Sequence, residues 1–143
     1  FKEVLCGISR HDNSSPKILL ESDLPAFQLK EFIDSLKSNS IGVLYDLGNA
    51  TAMGFNLEED LKLLSPIIKE VHIKDRFFDN GNSGRLGTAD TPFHIAFRVL
   101  KKLMWNGSFI LETPIFNNWE NEAKANFSFT KNLVESVSQK LEN

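Results

Sequence analysis

The sequence predicts an α/β fold in which short parallel strands alternate with helices, and three observations predict it. Four apolar runs, Ile18-Leu19-Leu20, Val43-Leu44-Tyr45, Val71-His72-Ile73 and Phe109-Ile110-Leu111, are short and rich in β-branched or large apolar residues, as buried parallel strands are. Between them lie stretches whose apolar residues recur at helical spacing. Each run also ends in, or contains, a side chain able to bind a metal: Glu21, Asp46, His72 and Glu112. Polar residues at the same end of successive parallel strands fall on one rim of the sheet, where α/β proteins place their chemistry.

The elements follow in order. After the strand around Lys17 to Ser22, Asp23-Leu24-Pro25 is a helix start signal, and Leu29, Phe32, Ile33 and Leu36 form one helical face. The polar run Lys37 to Ser40 ends that helix, and the second strand, Ile41 to Asp46, follows at once. Leu47 to Phe55 reads as a loop. Asn56 is an N-cap with Glu59 three residues on, ahead of Leu57, Leu61 and Leu64, and Ser65-Pro66 stops this helix before a third strand near Glu70 to Lys74. Asp75 to Asp90 carries Gly81, Gly84 and Gly87 with few apolar residues and reads as a mobile loop. Thr91-Pro92 caps a helix with Phe93, Ala96, Phe97, Leu100 and Leu103 on one face, and Asn106-Gly107 turns the chain into the fourth strand. Trp119 to Leu141 is expected as a terminal helix with Ala123, Phe127, Val134, Val137 and Leu141 inward. Phe1 to Ile8 reads as the tail of a helix, and a longer parent protein is expected.

Spacing ties the four rim residues together. Glu21, Asp46 and His72 are separated by 25 and 26 residues, and Glu112 follows 40 residues later, the last interval lengthened by the glycine-bearing loop. A βαβ unit needs roughly 30 residues, so each rim position is one unit beyond the last. Alternation places Leu19 with Glu21, Leu44 with Asp46 and Ile110 with Glu112 on shared faces. His72 shares its face with Glu70 and Lys74, which puts Lys74 at the mouth of the site and Glu70 at its floor or on the surface.

Composition narrows the function classes. With 143 residues, 41% hydrophobic and 24% charged, the chain can bury one core, and residues 1–143 are expected to form a single domain. A net charge of −3 gives no electrostatic reason to expect nucleic acid or an acidic membrane as partner. No apolar stretch approaches the roughly 20 residues of a membrane span. The single Cys6 cannot form an internal disulfide and fits a reducing compartment, hence an expected cytoplasmic location. Cys6 reads as a small buried apolar residue, and His11 and His94 as structural or exposed.

Five segments resemble the xylose-isomerase-like barrels of sugar and sugar-phosphate isomerases and epimerases, including the hexulose-phosphate and pentulose-phosphate epimerase group. They are Leu19-Leu20-Glu21, Tyr45-Asp46-Leu47-Gly48-Asn49, Val71-His72-Ile73-Lys74-Asp75-Arg76, Arg85-Leu86-Gly87-Thr88-Ala89-Asp90 and Phe109-Ile110-Leu111-Glu112-Thr113. The resemblance runs from about Lys17 to Pro114 in the family's order. It implies a (β/α)8 TIM barrel of which this chain supplies the C-terminal half, about four parallel strands alternating with helices, since a whole barrel needs about 250 residues. It further implies that Glu21, Asp46, His72 and Glu112 are metal ligands, and that Glu21 and Glu112 double as acid and base on opposite faces of the substrate. Two departures bear on substrate identity: Asn49 stands where many relatives carry His, and Ala89 with Thr91-Pro92 departs from the family's usual loop.

The implied chemistry suits these groups. Moving a carbonyl along a sugar, or inverting the carbon beside it, requires removing a proton from carbon and stabilising an enediolate. A divalent ion supplies that stabilisation as a Lewis acid. Three carboxylates and one imidazole favour Mn²⁺, Mg²⁺ or Co²⁺ and admit Zn²⁺. Lys74 and Arg76, just past a strand end, are candidate contacts to substrate hydroxyls or a phosphate, and Asn49 can hydrogen-bond a sugar without acting as a base.

Other readings stand beside these. Taken singly, Glu21 or Asp46 reads as an N-cap or solvated loop residue, His72 as a core histidine, and Lys74 or Arg76 as a surface ion pair with Asp75 or Asp79. A DNA-repair endonuclease resembling endonuclease IV shares such strand ends, but uses several more histidines and a basic face, against three histidines and a net negative charge here. A third reading is a non-catalytic half-barrel fragment, which leaves two sheet edges open unless it pairs with the missing half or with another copy.

Overall fold

The computed structural model describes residues 18–139. The expectations for Phe1 to Ile8, Cys6, His11 and Leu141 lie outside the described residues. The described elements are β1 (Ile18–Leu20), α1 (Ala26–Leu36), β2 (Ile41–Asp46), α2 (Leu47–Ala52), α3 (Leu57–Leu64), β3 (Ile68–Ile73), β4 (Asp75–Arg76), β5 (Ser83–Gly84), α4 (Phe93–Lys102), β6 (Ser108–Leu111) and α5 (Trp119–Gln139). Strands β1, β2, β3 and β6 form one parallel sheet in that order, so each helical crossover sets its strand beside the one before it. This is the partial α/β TIM barrel that the sequence predicts.

The core lies between the sheet and its helices. One face of the sheet contributes Val43, Tyr45, Val71 and Ile73, against which the helices place Leu29, Ile33, Leu61, Leu64, Ala96, Phe97 and Leu100. The 3.6-residue periodicity of α1, α3 and α4 thus becomes one buried stripe per helix. Phe109 of β6 stacks on Phe97 at a centroid distance of 4.9 Å and meets Trp105 edge-on at 5.1 Å. The opposite face, with Leu44, Asp46, His72 and Ile110, is the one the rim residues share.

Five expectations are corrected. Leu47 to Phe55 is not all loop, because the Asp46 side chain accepts from the Asn49 amide and caps the short helix α2. The third strand begins at Ile68, earlier than Glu70. Asp75 to Asp90 holds the antiparallel pair β4–β5 and is anchored by a buried carboxylate, so it is an ordered loop. In α5, Val137 is inward as expected, but Ala123, Phe127 and Val134 are exposed, and the rest of the inward face is Asn126, Phe129 and Leu133. Leu103 also turns outward, as the residue that ends α4.

Candidate metal and sugar site

The site is built from the last residues of β2 and β3 and the first residue beyond β6. Parallel pairing sets Asp46 beside His72, and His72 beside Ile110, while the Glu112 amide donates to the Ile73 carbonyl at 3.2 Å. These three strand ends bring Asp46, His72 and Glu112 together, with one potential ligand atom from each lying within 4.8 Å of the others. His72 Nδ1 lies 2.7 Å from Glu112 Oε2 and 4.0 Å from Asp46 Oδ2.

Asp46 is the most informative member. It is only 4% exposed, and its Oδ1 accepts from the Asn49 amide at 2.7 Å. Its Oδ2 is buried with no hydrogen-bond partner among the described residues. Burial pushes the Asp46 carboxyl up from its ordinary range, opposed by the Asn49 amide and by Lys74. A buried carboxylate oxygen left without a donor is costly unless something else satisfies it.

Lys74 reaches into the same cluster. Its ammonium donates to Glu112 Oε1 and stands 3.8 Å from Asp46 Oδ2, with the side chain 18% exposed. The Lys74 contact, reinforced by His72, holds the Glu112 carboxyl below the usual carboxylate range despite partial burial. Close packing of α2 fixes the Lys74 backbone, since a Cβ on Gly48 would lie 2.6 Å from the Lys74 carbonyl oxygen.

Glu21 stands apart from the triad. Its Oε1 accepts from Asn49 Nδ2 at 2.7 Å; Asn49 Oδ1 in turn accepts from Arg76 Nη1 at 2.7 Å, and Arg76 Nε donates to the Gly81 carbonyl at 2.7 Å. Asn49 and Arg76 therefore tie Glu21 to the loop after β4. The ion-pair alternatives for Lys74 and Arg76 with Asp75 or Asp79 are not what forms: Lys74 pairs with Glu112, and Arg76 with Asn49 and Gly81.

Two residues here have roles that the sequence did not assign. Glu70 Oε1 lies 3.3 Å from His72 Nε2, so the imidazole has a carboxylate on each nitrogen. Its signal was the two-residue spacing to His72. Asp75 is fully buried and accepts from the amides of Gly87, Thr88 and Ala89 on Oδ2, at 2.8–3.1 Å, and from Thr91 on Oδ1 at 3.1 Å. It holds the loop beside the site. Only its position directly after a buried strand hinted at that role. His94 is exposed, as expected.

Solved structures with the same fold include a xylose isomerase domain protein from Planctomyces limnophilus, at a TM-score of 0.82 and 18% identity over 96% of this chain and 54% of that one. L-ribulose 3-epimerase aligns at a TM-score of 0.80 and 17% identity, over 99% and 55% of the two chains. D-psicose 3-epimerase, crystallised in the presence of D-fructose, aligns at 0.74 and 14%, over 93% and 55%. The chain spans about half the length of these proteins, and at such identities the likeness establishes the fold. No curated protein matches the sequence. No helix among the described residues is long and apolar enough to cross a membrane. The family comparison covers most of the chain: residues 23–133 match the xylose isomerase-like TIM barrel family, and the chain belongs to it.

Proposed function

We propose that this chain carries the metal-binding half of a divalent-metal-dependent isomerase or epimerase of a sugar or sugar phosphate. The observation that carries the reading is the buried Asp46 Oδ2, without a hydrogen bond among the described residues and facing His72 and Glu112 at the rim of a parallel sheet. The donor set fits a divalent cation. Two carboxylates and an imidazole suit Mn²⁺, Mg²⁺ or Co²⁺, with Zn²⁺ also accommodated. Glu70 at His72 Nε2 would supply an outer carboxylate that orients a ligating imidazole, whose Nδ1 faces Glu112 and Asp46. Asp46, His72 and Glu112 are the proposed ligands; Glu21, which stands apart from them on the adjoining strand end and accepts from Asn49, is proposed as a fourth.

A bound divalent ion would supply Lewis-acid stabilisation of the charge that develops on substrate oxygen when a neighbouring C–H is ionised. The chain's own residues supply the rest. Glu112, held ionised by Lys74 and His72, is poised to accept a proton at a carboxylate oxygen. Glu21, oriented by Asn49, is the second carboxylate for delivering or removing a proton on the other face. Asn49, Lys74 and Arg76 are the proposed contacts to substrate hydroxyls or a phosphate. The known epimerases of this fold named above support a sugar as substrate. The hydrophobic core of the described residues supports one domain, and the lone Cys6 a reducing, cytoplasmic setting.

Equilibrium dialysis against Mn²⁺ tests the reading. One ion per chain is expected in the wild type and none in Glu112→Gln; a wild type that stays metal-free at saturating Mn²⁺ overturns it.

A further inference from the structure

This inference rests on the cation site proposed above and concerns what occupies its charge when no divalent ion is bound. Asp46 and Glu112 bring two carboxylates to one rim, with Asp46 almost wholly buried. Carboxylates removed from water need a positive partner. Lys74 provides it: two residues beyond His72 on the same face, its ammonium bridges Glu112 Oε1 and the neighbourhood of Asp46 Oδ2. Those oxygens belong to two of the carboxylates proposed to hold the ion. A divalent ion and the ammonium therefore compete for one set of oxygens.

The other cation nearby is not available for this role. Arg76 is committed through Nη1 to Asn49 and through Nε to the Gly81 carbonyl. A guanidinium held by two such bonds is fixed in place, whereas an ammonium on a flexible four-carbon stem is strongly hydrated and can withdraw toward solvent. Lys74 is 18% exposed and so retains a path to water at the mouth of the site.

We propose that Lys74 is a built-in placeholder cation: it neutralises the Asp46–Glu112 cluster in the metal-free protein, is displaced when a divalent ion binds, and thereby sets the affinity of the site. Lys74 is in this sense a positioning residue. It holds both carboxylates in place before the ion arrives, and its withdrawal leaves the ammonium at the mouth of the site for substrate oxygens. The same contact lowers the affinity for the ion, because the ion must first replace it.

The test is a Mn²⁺ titration read by the electron paramagnetic resonance signal of the free ion, on wild type, Lys74→Met and Lys74→Arg. Lys74→Met keeps the stem and removes the charge. It should bind Mn²⁺ on the order of tenfold more tightly than wild type and melt at a lower temperature when metal-free, because its carboxylates are no longer neutralised. Lys74→Arg, which keeps the charge, should stay within a few-fold of wild type. Lys74→Gln carries the same expectation as Lys74→Met and replaces it should that variant fail to fold by circular dichroism. Equal or weaker Mn²⁺ binding by the folded, uncharged variants would overturn the placeholder role while leaving the cation site standing. Failure of wild type and variants alike to bind Mn²⁺ would overturn both.

Discussion

Asp46→Asn separates the requirements of folding from those of function at the proposed site. The substitution keeps the shape and keeps an oxygen to accept from the Asn49 amide, and Asn caps a helix as well as Asp does. It removes the negative charge from a residue that is 4% exposed and whose Oδ2 has no hydrogen-bond partner among the described residues. An unsatisfied buried acceptor costs about 1–3 kcal/mol. Lys74, 3.8 Å away, offsets part of that, which leaves a net penalty near the low end. In EDTA the Asn variant should therefore be more stable than wild type by about 1 kcal/mol. With Mn²⁺ at a hundred times its dissociation constant, wild type should gain about 2.7 kcal/mol by mass action, and the variant almost nothing. The order of stabilities then inverts. Urea unfolding followed by tryptophan fluorescence, with and without Mn²⁺, measures both halves. A variant less stable than wild type in EDTA, or one that gains as much from Mn²⁺, would refute the reasoning.

Three further outcomes follow from the geometry. Asp75→Ala strands four backbone amides at a fully buried position, and should cost roughly 3–5 kcal/mol in urea melts, with faster hydrogen exchange at Gly87, Thr88, Ala89 and Thr91. Gly48→Ala forces a Cβ to within 2.6 Å of the Lys74 carbonyl oxygen; overpacking of this kind costs about 1–3 kcal/mol, and the shift should also weaken Mn²⁺ binding measured by dialysis. The Tyr45 hydroxyl has its pKa raised far above its ordinary value, first by burial and then by Asp60, whose carboxylate accepts its hydrogen bond at 2.8 Å. The unfolded chain therefore releases this proton at about pH 10 while the folded chain keeps it, so stability should fall as pH rises above 10, by up to about 1.4 kcal/mol per unit. Tyr45→Phe should remove that component of the decline in melts across pH 9 to 11.

Which parts of this were legible in the sequence follows from the range of the forces involved. Asp46, His72 and Glu112 could be brought to one rim because strand alternation and βαβ spacing are local regularities, and parallel pairing converts them directly into proximity. Helix α2 was hidden because Gly48 and Asn49 read as loop residues, while the cap from Asp46 that starts the helix appears only once the strand end is placed. The inward face of α5 differs from the expected one at Ala123, Phe127 and Val134, though not at Val137, because it carries the polar Asn126. The Asn126 amide donates to Thr113 at 2.7 Å across the packed face, so apolar periodicity alone points elsewhere. The loop after β4 read as mobile from its glycines, yet its order comes from Asp75, 12 to 16 residues distant from the amides it binds. Glu21 was read with the other three, and the structure turns it toward Asn49, a contact 28 residues away that no local pattern encodes.

The central claim is that these residues move a proton at a carbon beside a sugar carbonyl. Incubating the protein with ketoses and ketose phosphates in D₂O, with and without Mn²⁺, and following the loss of the adjacent C–H signal by proton NMR tests it directly. Deuterium incorporation that requires Mn²⁺ and disappears in Glu112→Gln is the expected result. Protein shown to hold Mn²⁺ that exchanges no carbon-bound hydrogen in any of these sugars would contradict it.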